Sequence, residues 1–146
     1  MNGTRTPPEP ASVTPQLFTD RVRALLRPRG GPRPWPKRQI DRWILLHCIS
    51  RRIEPGEELA ERAVNARIQD WLIGPGRSLE VDFVTLRRAL IDEGFWDRDS
   101  GGTRYRSARH HQRRVRFEPG LPGESDVLAE ADRRATGREG GAPSAP

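Results

Sequence analysis

The sequence has few of the features that would place it outside a reducing compartment or in a membrane. It has one cysteine in 146 residues, Cys48, which rules out an internal disulfide and is typical of a reducing environment. No apolar run approaches the roughly 18 residues that a membrane span needs, and the N-terminus has no apolar segment of the signal-peptide type. We therefore expect a soluble, cytoplasmic protein with no membrane partner.

The sequence also lacks the short motifs that mark common enzymes and metal centres. It contains no nucleophile elbow, no phosphate-binding loop and no His-Glu-x-x-His motif. His47, Cys48 and the pair His110-His111 do not have the cysteine or histidine spacing of a zinc site. These absences predict a protein that is not an enzyme and that binds no metal and no cofactor.

Apolar residues are scarce at 34%, and many of the 14 prolines and 14 glycines lie towards the two ends of the chain. The length suffices for one domain with a modest core. The distribution predicts, in chain order, a disordered N-terminus, an amphipathic helix, a linker, a winged-helix-like domain, and a basic segment with a largely disordered C-terminal tail. Their predicted bounds are residues 1–13, 14–27, 28–36, 37–107 and 108–146.

The fold of the central domain is predicted from the order of its apolar periods and turn signals. Residues 37–52 form a helix that is apolar almost all round, and Leu59 falls in a short strand after a Pro-Gly turn. Two helices follow over residues 61–72 and 83–93, and then a hairpin turning at Gly101-Gly102. The predicted class is mainly α with a small β-hairpin: helix, short strand, helix, helix and two-stranded wing, plus the N-terminal amphipathic helix.

The helix over residues 83–93 contains an arginine pair whose members are predicted to differ. Asp82 is expected to cap its N-terminus, and Gly94 to end it. At about 100° per residue, Arg87 lies about 140° from Asp82, inside the apolar arc, and Arg88 about 240° from it, on the polar side. We expect Arg87 to be structural and Arg88 to face a partner or solvent. The candidate partners of Arg87 are the carboxylates Asp41, Asp70 and Asp97.

Basic charge is concentrated outside the central domain. Residues 35–107 hold 13 Lys/Arg against 12 Asp/Glu, whereas six arginines and no acid lie from Arg104 to Arg116. The arginine-pair helix with its cap has two arginines against three acids, which disfavours groove binding because phosphate neutralisation dominates nucleic-acid affinity. The expected nucleic-acid contacts are Arg88, Arg98, Arg104, Arg106, Arg109, Arg113, Arg114 and Arg116.

Residues 82–98, DFVTLRRALIDEGFWDR, follow the pattern D-x-x-T-L-R-R-x-L-[IV]-D-x-G-[FL]-x-x-R. With PWPKR, IEPGEEL, AVNARI and GTRYR, they make residues 34–106 resemble the uncharacterised prokaryotic family called domain of unknown function 2087. The chain departs from that family in its Trp35-Pro36-Lys37-Arg38, where the family has F-P-K-K, and in a longer loop, GPGRSLEV. The family occurs alone and attached to helix-turn-helix regulators. The resemblance therefore implies a link to transcription, and no catalytic residues carry over.

Together these features predict a non-enzymatic regulatory module, associated with transcription, that contacts nucleic acid weakly through the wing and the arginine cluster of residues 104–116. The apolar helix over residues 37–52 leaves an alternative open. In that alternative the chain binds a regulator protein or a second copy of itself, without nucleic acid. The two predictions differ in salt dependence, since counterion release makes nucleic-acid binding fall steeply with salt.

Overall fold

In the central part of the chain, the helices lie close to where the spacing of apolar residues predicts them. Most differences from expectation lie towards the ends. The structure is a computed structural model that describes residues 8–28 and 30–139. Its helices are α1 (Pro15–Leu26), α2 (Gln39–Ser50), α3 (Glu61–Ile73), α4 (Phe83–Asp92) and α5 (Glu124–Glu139). Its strands are β1 (Ala11–Val13), β2 (Arg33–Pro34), β3 (Glu58–Ala60), β4 (Leu79–Glu80), β5 (Trp96–Arg98), β6 (Arg104–Ser107) and β7 (Val115–Phe117).

The strands pair in three small sheets, so the chain has a mixed α and β architecture. β1 runs parallel to β7, and β2 runs parallel to β4. β3, β6 and β5 form an antiparallel sheet with β6 in the centre, so the predicted hairpin gains a third strand. Leu59 and Arg98 flank Tyr105 in this sheet, and Tyr105 is buried.

Helix α2 lies at the centre of the core, as its nearly all-round apolar surface predicts. Six of its apolar residues are buried, and α1 packs against it. Phe18, Val22 and Leu26 of α1 are buried in the same cluster, and each such side chain contributes about 1.5–3 kcal/mol. Arg21 binds the buried carboxylate of Asp41 at 2.8 Å. The apolar residues of α2 are therefore packed within the chain.

Two helices begin and end as their local sequence predicts. Thr14 caps α1, and the Asp82 carboxylate accepts a hydrogen bond from Thr85 N at 2.8 Å at the start of α4. This bond is the main cause that lowers the pKa of Asp82. Gly94 follows α4 with φ +85°, and a Cβ there would lie 2.7 Å from His110 Cβ. Glycine is thus required both by the backbone conformation and by the close approach of the next segment.

Among the residues that the structure describes, the N-terminal part is more ordered than predicted. Residues 11–13, expected in a disordered N-terminus, form β1, because β7 supplies a partner strand and Ala11 N donates to Arg114 O at 2.8 Å. Within the predicted linker, Arg33–Pro34 pairs with Leu79–Glu80. Residues 1–7 and residue 29 lie outside the described part of the chain.

The segment after the hairpin is structured, which corrects the prediction of a largely disordered tail. A turn of 3-10 helix, His110–Arg113, leads into β7, and α5 packs against α1. The buried Glu124 carboxylate anchors α5, since it accepts a hydrogen bond from Trp71 Nε1 at 2.8 Å and pairs with Arg52 at 3.2 Å. The last seven residues of the predicted tail, 140–146, lie outside the described residues.

Two histidines pack as aromatic rings against the core. His47 stacks on Phe117 with ring centroids 4.0 Å apart, and His111 stacks on Phe95 at 4.1 Å. Burial lowers the pKa of His47 to about 3 and also lowers the pKa of His111. Both imidazoles are therefore neutral at pH 7. The Cys48 thiol is buried, and burial raises its pKa, so it is protonated as well.

Candidate nucleic-acid interface

The neighbouring arginines of α4 have different environments, as their positions on the helix predict. The Arg87 side chain is 17% exposed, and its Nη1 donates to Asn65 Oδ1 at 2.6 Å. Its Nη2 lies 3.8 Å from Glu61 Oε1, so Arg87 ties α4 to α3. Arg88, one residue further on, is exposed. The pair therefore combines an interhelical contact with an outward-facing cation.

The contacts of Arg87 are with none of its three candidate partners. Its contacts, Glu61 and Asn65, lie one turn apart on α3, which packs beside α4. The sequence does not reveal how two helices align along their contact, so it could not select this pair. The predicted carboxylates are placed elsewhere: Asp41 binds Arg21, Asp97 lies 3.0 Å from His110, and Asp70 is exposed on α3.

A cleft between α4 and the β5–β6 hairpin brings Arg87 and Arg88 together with Arg98. Its volume is about 220 Å³. The lining residues are Arg87, Arg88, Ile91, Asp92, Arg98 and Tyr105. Tyr105 donates its hydroxyl to Glu61 Oε1 at 2.8 Å, and burial, with this contact, raises its pKa, so the hydroxyl stays protonated. We predicted the three arginines as separate sites and did not single out Tyr105.

The two arginines of β6 lie on the outer face of the hairpin, and one of them, Arg106, has acidic neighbours. Successive side chains of a strand point to opposite faces, so Arg104 and Arg106 lie on the face opposite the buried Tyr105, and both are exposed. Glu58 on β3 and Asp97 on β5 are the direct cross-strand neighbours of Arg106. Opposite charges at such positions attract each other, so the outer face of the hairpin is less basic than its arginines alone suggest.

The arginines after the hairpin separate into one that pairs with a carboxylate and three that do not within the described residues. Arg114 Nη2 donates to Glu93 O at 3.1 Å and pairs with the Glu93 carboxylate at 3.0 Å. Arg114 therefore holds the C-terminal end of α4. Three further arginines are exposed and make no ion pair within residues 8–28 and 30–139: Arg109, Arg113 and Arg116.

Two further observations concern the described part of the chain. Its residues include no group of three or more His, Cys, Asp or Glu side chains placed to hold a metal ion. None of the helices found there is long and apolar enough to cross a membrane.

The structure thus defines a small mixed α/β module with an arginine-lined cleft between a helix and a hairpin. Residues 33–107, about half of the chain, match the family model described as an uncharacterized protein conserved in bacteria, DUF2087. The chain belongs to this family, as its motifs predict. The match begins at β2 and ends with β6, so α1, β7 and α5 lie outside it. No curated protein and no solved structure matches the chain.

Proposed function

We propose that the protein is a non-enzymatic regulatory module that contacts nucleic acid through exposed arginines around α4 and the hairpin. We further propose that residues 37–107 form a winged-helix-like unit. The element order α2, β3, α3, α4, β5, β6 supports this proposal, as does the position of β6 between β3 and β5. In such a unit α4 takes the place of the helix that faces nucleic acid, and the β5–β6 hairpin is the wing.

One observation supports this proposal above the others. Seven of the eight predicted contact arginines are exposed and make no ion pair among the residues that the structure describes. They lie on α4, on the wing and on the segment packed beside the end of α4. They are Arg88, Arg98, Arg104, Arg106, Arg109, Arg113 and Arg116. Arg106 contributes less because Glu58 and Asp97 lie opposite it, and Arg114, the eighth arginine, is bound to Glu93.

The number of available arginines sets the expected strength of binding. Each phosphate contact on duplex DNA contributes about 0.9 to the slope of log affinity against log salt. Three to five contacts would lower the affinity roughly 40- to 500-fold between about 50 and about 200 mM salt. The exposed Asp82 and Asp92 at the two ends of α4 oppose phosphates, which favours weak binding.

Fluorescence anisotropy with labelled duplex DNA and RNA, at those two salt concentrations, tests the proposal. The informative variant is Arg109→Ala/Arg113→Ala/Arg116→Ala. Its matched control, Arg77→Ala/Arg133→Ala/Arg134→Ala, removes the same charge from exposed sites in the 74–78 turn and on α5. Arg114 stays unchanged in both, because its loss would disturb the end of α4.

We expect the first variant to bind more weakly. Its slope of log affinity against log salt should be smaller in magnitude by about 2 to 3. The control should remain close to the unmodified protein. Absence of binding at low salt contradicts the proposal, and so does equal weakening in the two variants. Equal weakening would mean that total charge, and not this surface, determines binding.

The alternative, a module that binds a regulator protein or itself, rested on the apolar surface of α2. That surface is packed within the chain, largely against α1. Among the described residues, the large hydrophobic side chain that is exposed is Ile73, at 76%. A concentration-dependent dimer in light scattering, insensitive to salt, would favour the alternative over nucleic-acid contact.

A further inference from the structure

We propose that the cleft between α4 and the hairpin is a binding site for a single phosphate group. Three arginines line it, together with the buried Tyr105. The inference rests on the proposed function only where the phosphate belongs to a nucleic acid. A phosphate carried by a small molecule presents the same chemistry to the cleft.

Arg87 is held in place before any ligand arrives. Its Nη1 is bound by Asn65 at 2.6 Å, and its Nη2 lies 3.8 Å from Glu61. A guanidinium has five N–H donors, and these two contacts use only two of them. Because its side chain is only 17% exposed, its attraction for an anion is screened less than that of a surface arginine. An already ordered side chain also costs little entropy on binding.

The size of the cleft limits what can enter it. Pockets for drug-sized ligands measure about 300–1,000 Å³, whereas this cleft measures about 220 Å³. A single anionic group with its waters is therefore a better fit than a whole nucleotide. The rest of the ligand would remain on the surface, beside the exposed ends of Arg88 and Arg98.

The charge and geometry of the lining favour phosphate among anions. Three arginines line the cleft against Asp92 and the adjacent Glu61, whose Oε1 lies 3.8 Å from Arg87 Nη2, which leaves a net charge of +1 around it. A phosphate monoester carries about −1.5 to −2 at pH 7, and its oxygens match the paired N–H groups of a guanidinium. Asp92 is the one acidic group in the lining, and it repels such a ligand. Removing its charge should raise phosphate affinity by up to about fivefold.

The test is an NMR titration of the arginine Nε–H signals with inorganic phosphate at pH 7, with ionic strength held constant by sodium chloride. We expect saturable shifts at the three cleft arginines. An Arg88→Ala/Arg98→Ala variant should bind at least about tenfold more weakly, since it loses two charge-assisted contacts. The matched control Arg133→Ala/Arg134→Ala should bind as the unmodified protein does. Asp92→Asn should bind more tightly, and Glu130→Gln, on α5, should not.

Shifts that stay linear with phosphate, or that are equally large at Arg133 and Arg134, would overturn the proposal. So would phosphate affinity that Arg88→Ala/Arg98→Ala leaves unchanged. These outcomes do not depend on whether a duplex binds elsewhere on the protein.

A duplex-binding measurement on Arg88→Ala/Arg98→Ala then identifies the source of the phosphate. Saturable phosphate binding together with a loss of duplex affinity supports the cleft and assigns it to a nucleic-acid backbone. Saturable phosphate binding with unchanged duplex affinity also supports the cleft and assigns it to a small phosphorylated molecule. In the second case, the proposed function is tested by the variant Arg109→Ala/Arg113→Ala/Arg116→Ala alone.

Discussion

Replacing Arg87 by alanine should destabilise the protein, whereas replacing Arg88 should not. The two side chains are adjacent in sequence and identical in chemistry, so they form a matched pair. Arg87 is 17% exposed and bridges α4 to α3, whereas Arg88 is exposed. A difference in the stability of the two variants therefore reports the environment of each residue and not the loss of one charge.

The structure sets the size of the effect. A hydrogen bond from a charged donor, here Arg87 Nη1 to Asn65 Oδ1 at 2.6 Å, contributes about 1.5–3 kcal/mol. The contact with Glu61 adds little, because it is 3.8 Å long and the carboxylate side chain is 46% exposed. We therefore expect Arg87→Ala to lower the free energy of unfolding by about 2 kcal/mol. Arg88→Ala should stay within about 0.5 kcal/mol.

Thermal unfolding followed by circular dichroism at pH 7 measures this difference. About 2 kcal/mol corresponds to roughly 4–8 °C in Tm for a chain of this size. A double-mutant cycle with Asn65→Ala should give a coupling energy of at least about 0.5 kcal/mol between the two side chains. Equal Tm values for Arg87→Ala and Arg88→Ala would refute the assignment, and a coupling energy near zero would refute the Asn65 contact.

Three further substitutions test the packing around the site. His47 has a folded pKa of about 3 against an ordinary value of 6.5, so the unfolded chain binds the extra proton between these pH values. The contribution of His47 to the free energy of unfolding is therefore complete above pH 6.5. It falls by up to about 1.4 kcal/mol per pH unit as the pH drops towards 3. His47→Gln should reduce this fall, as measured by urea unfolding at several pH values. Gly94→Ala should cost more than about 2 kcal/mol, because φ is +85° and the new Cβ meets His110 Cβ. Glu124→Ala should cost about 2–3 kcal/mol in urea unfolding, since it leaves the Trp71 Nε1 donor without its buried acceptor.

The glycine and glutamate substitutions each have a control in the same chain. Gly102→Ala tests the cost of the positive φ alone, because φ there is +71° and no atom lies within 4 Å of the new Cβ. Glu130→Ala removes an exposed carboxylate of α5 and should cost less than about 0.5 kcal/mol. Equal losses of stability in Gly94→Ala and Gly102→Ala would contradict the packing argument. So would equal losses of stability in Glu124→Ala and Glu130→Ala. A His47→Gln variant with an unchanged acid slope contradicts the assignment of a neutral buried imidazole.

The features that were predicted correctly depend on residues close together in the chain. Asp82 caps α4 through a bond to Thr85, three residues away, and Gly94 ends the helix by its own backbone conformation. The inward and outward directions of Arg87 and Arg88 follow from helical geometry alone. Such features need no knowledge of what packs against the helix, so the sequence is sufficient to predict them.

The features that were missed depend on contacts between distant residues. The partner of Arg87 lies 22 positions away, and β1 pairs with a strand more than 100 positions away. Three residues of β1 are too few to show an alternating pattern. One available signal was overlooked: Val115 and Phe117 alternate with arginines, which is typical of a strand with one buried face. That pattern could have predicted β7, although not its pairing.

The segments outside the family match belong to the same folding unit as the matched region. Phe18, Val22 and Leu26 of α1 together contribute roughly 5–9 kcal/mol of apolar burial, which is comparable to the whole stability of a domain. On the other side of the match, β7 places Phe117 against His47 of α2. The arginine run between β6 and β7 is thereby fixed at both ends and held against the end of α4. In the proposed interface its arginines would therefore act as an ordered surface, which costs less entropy on binding than a disordered basic tail.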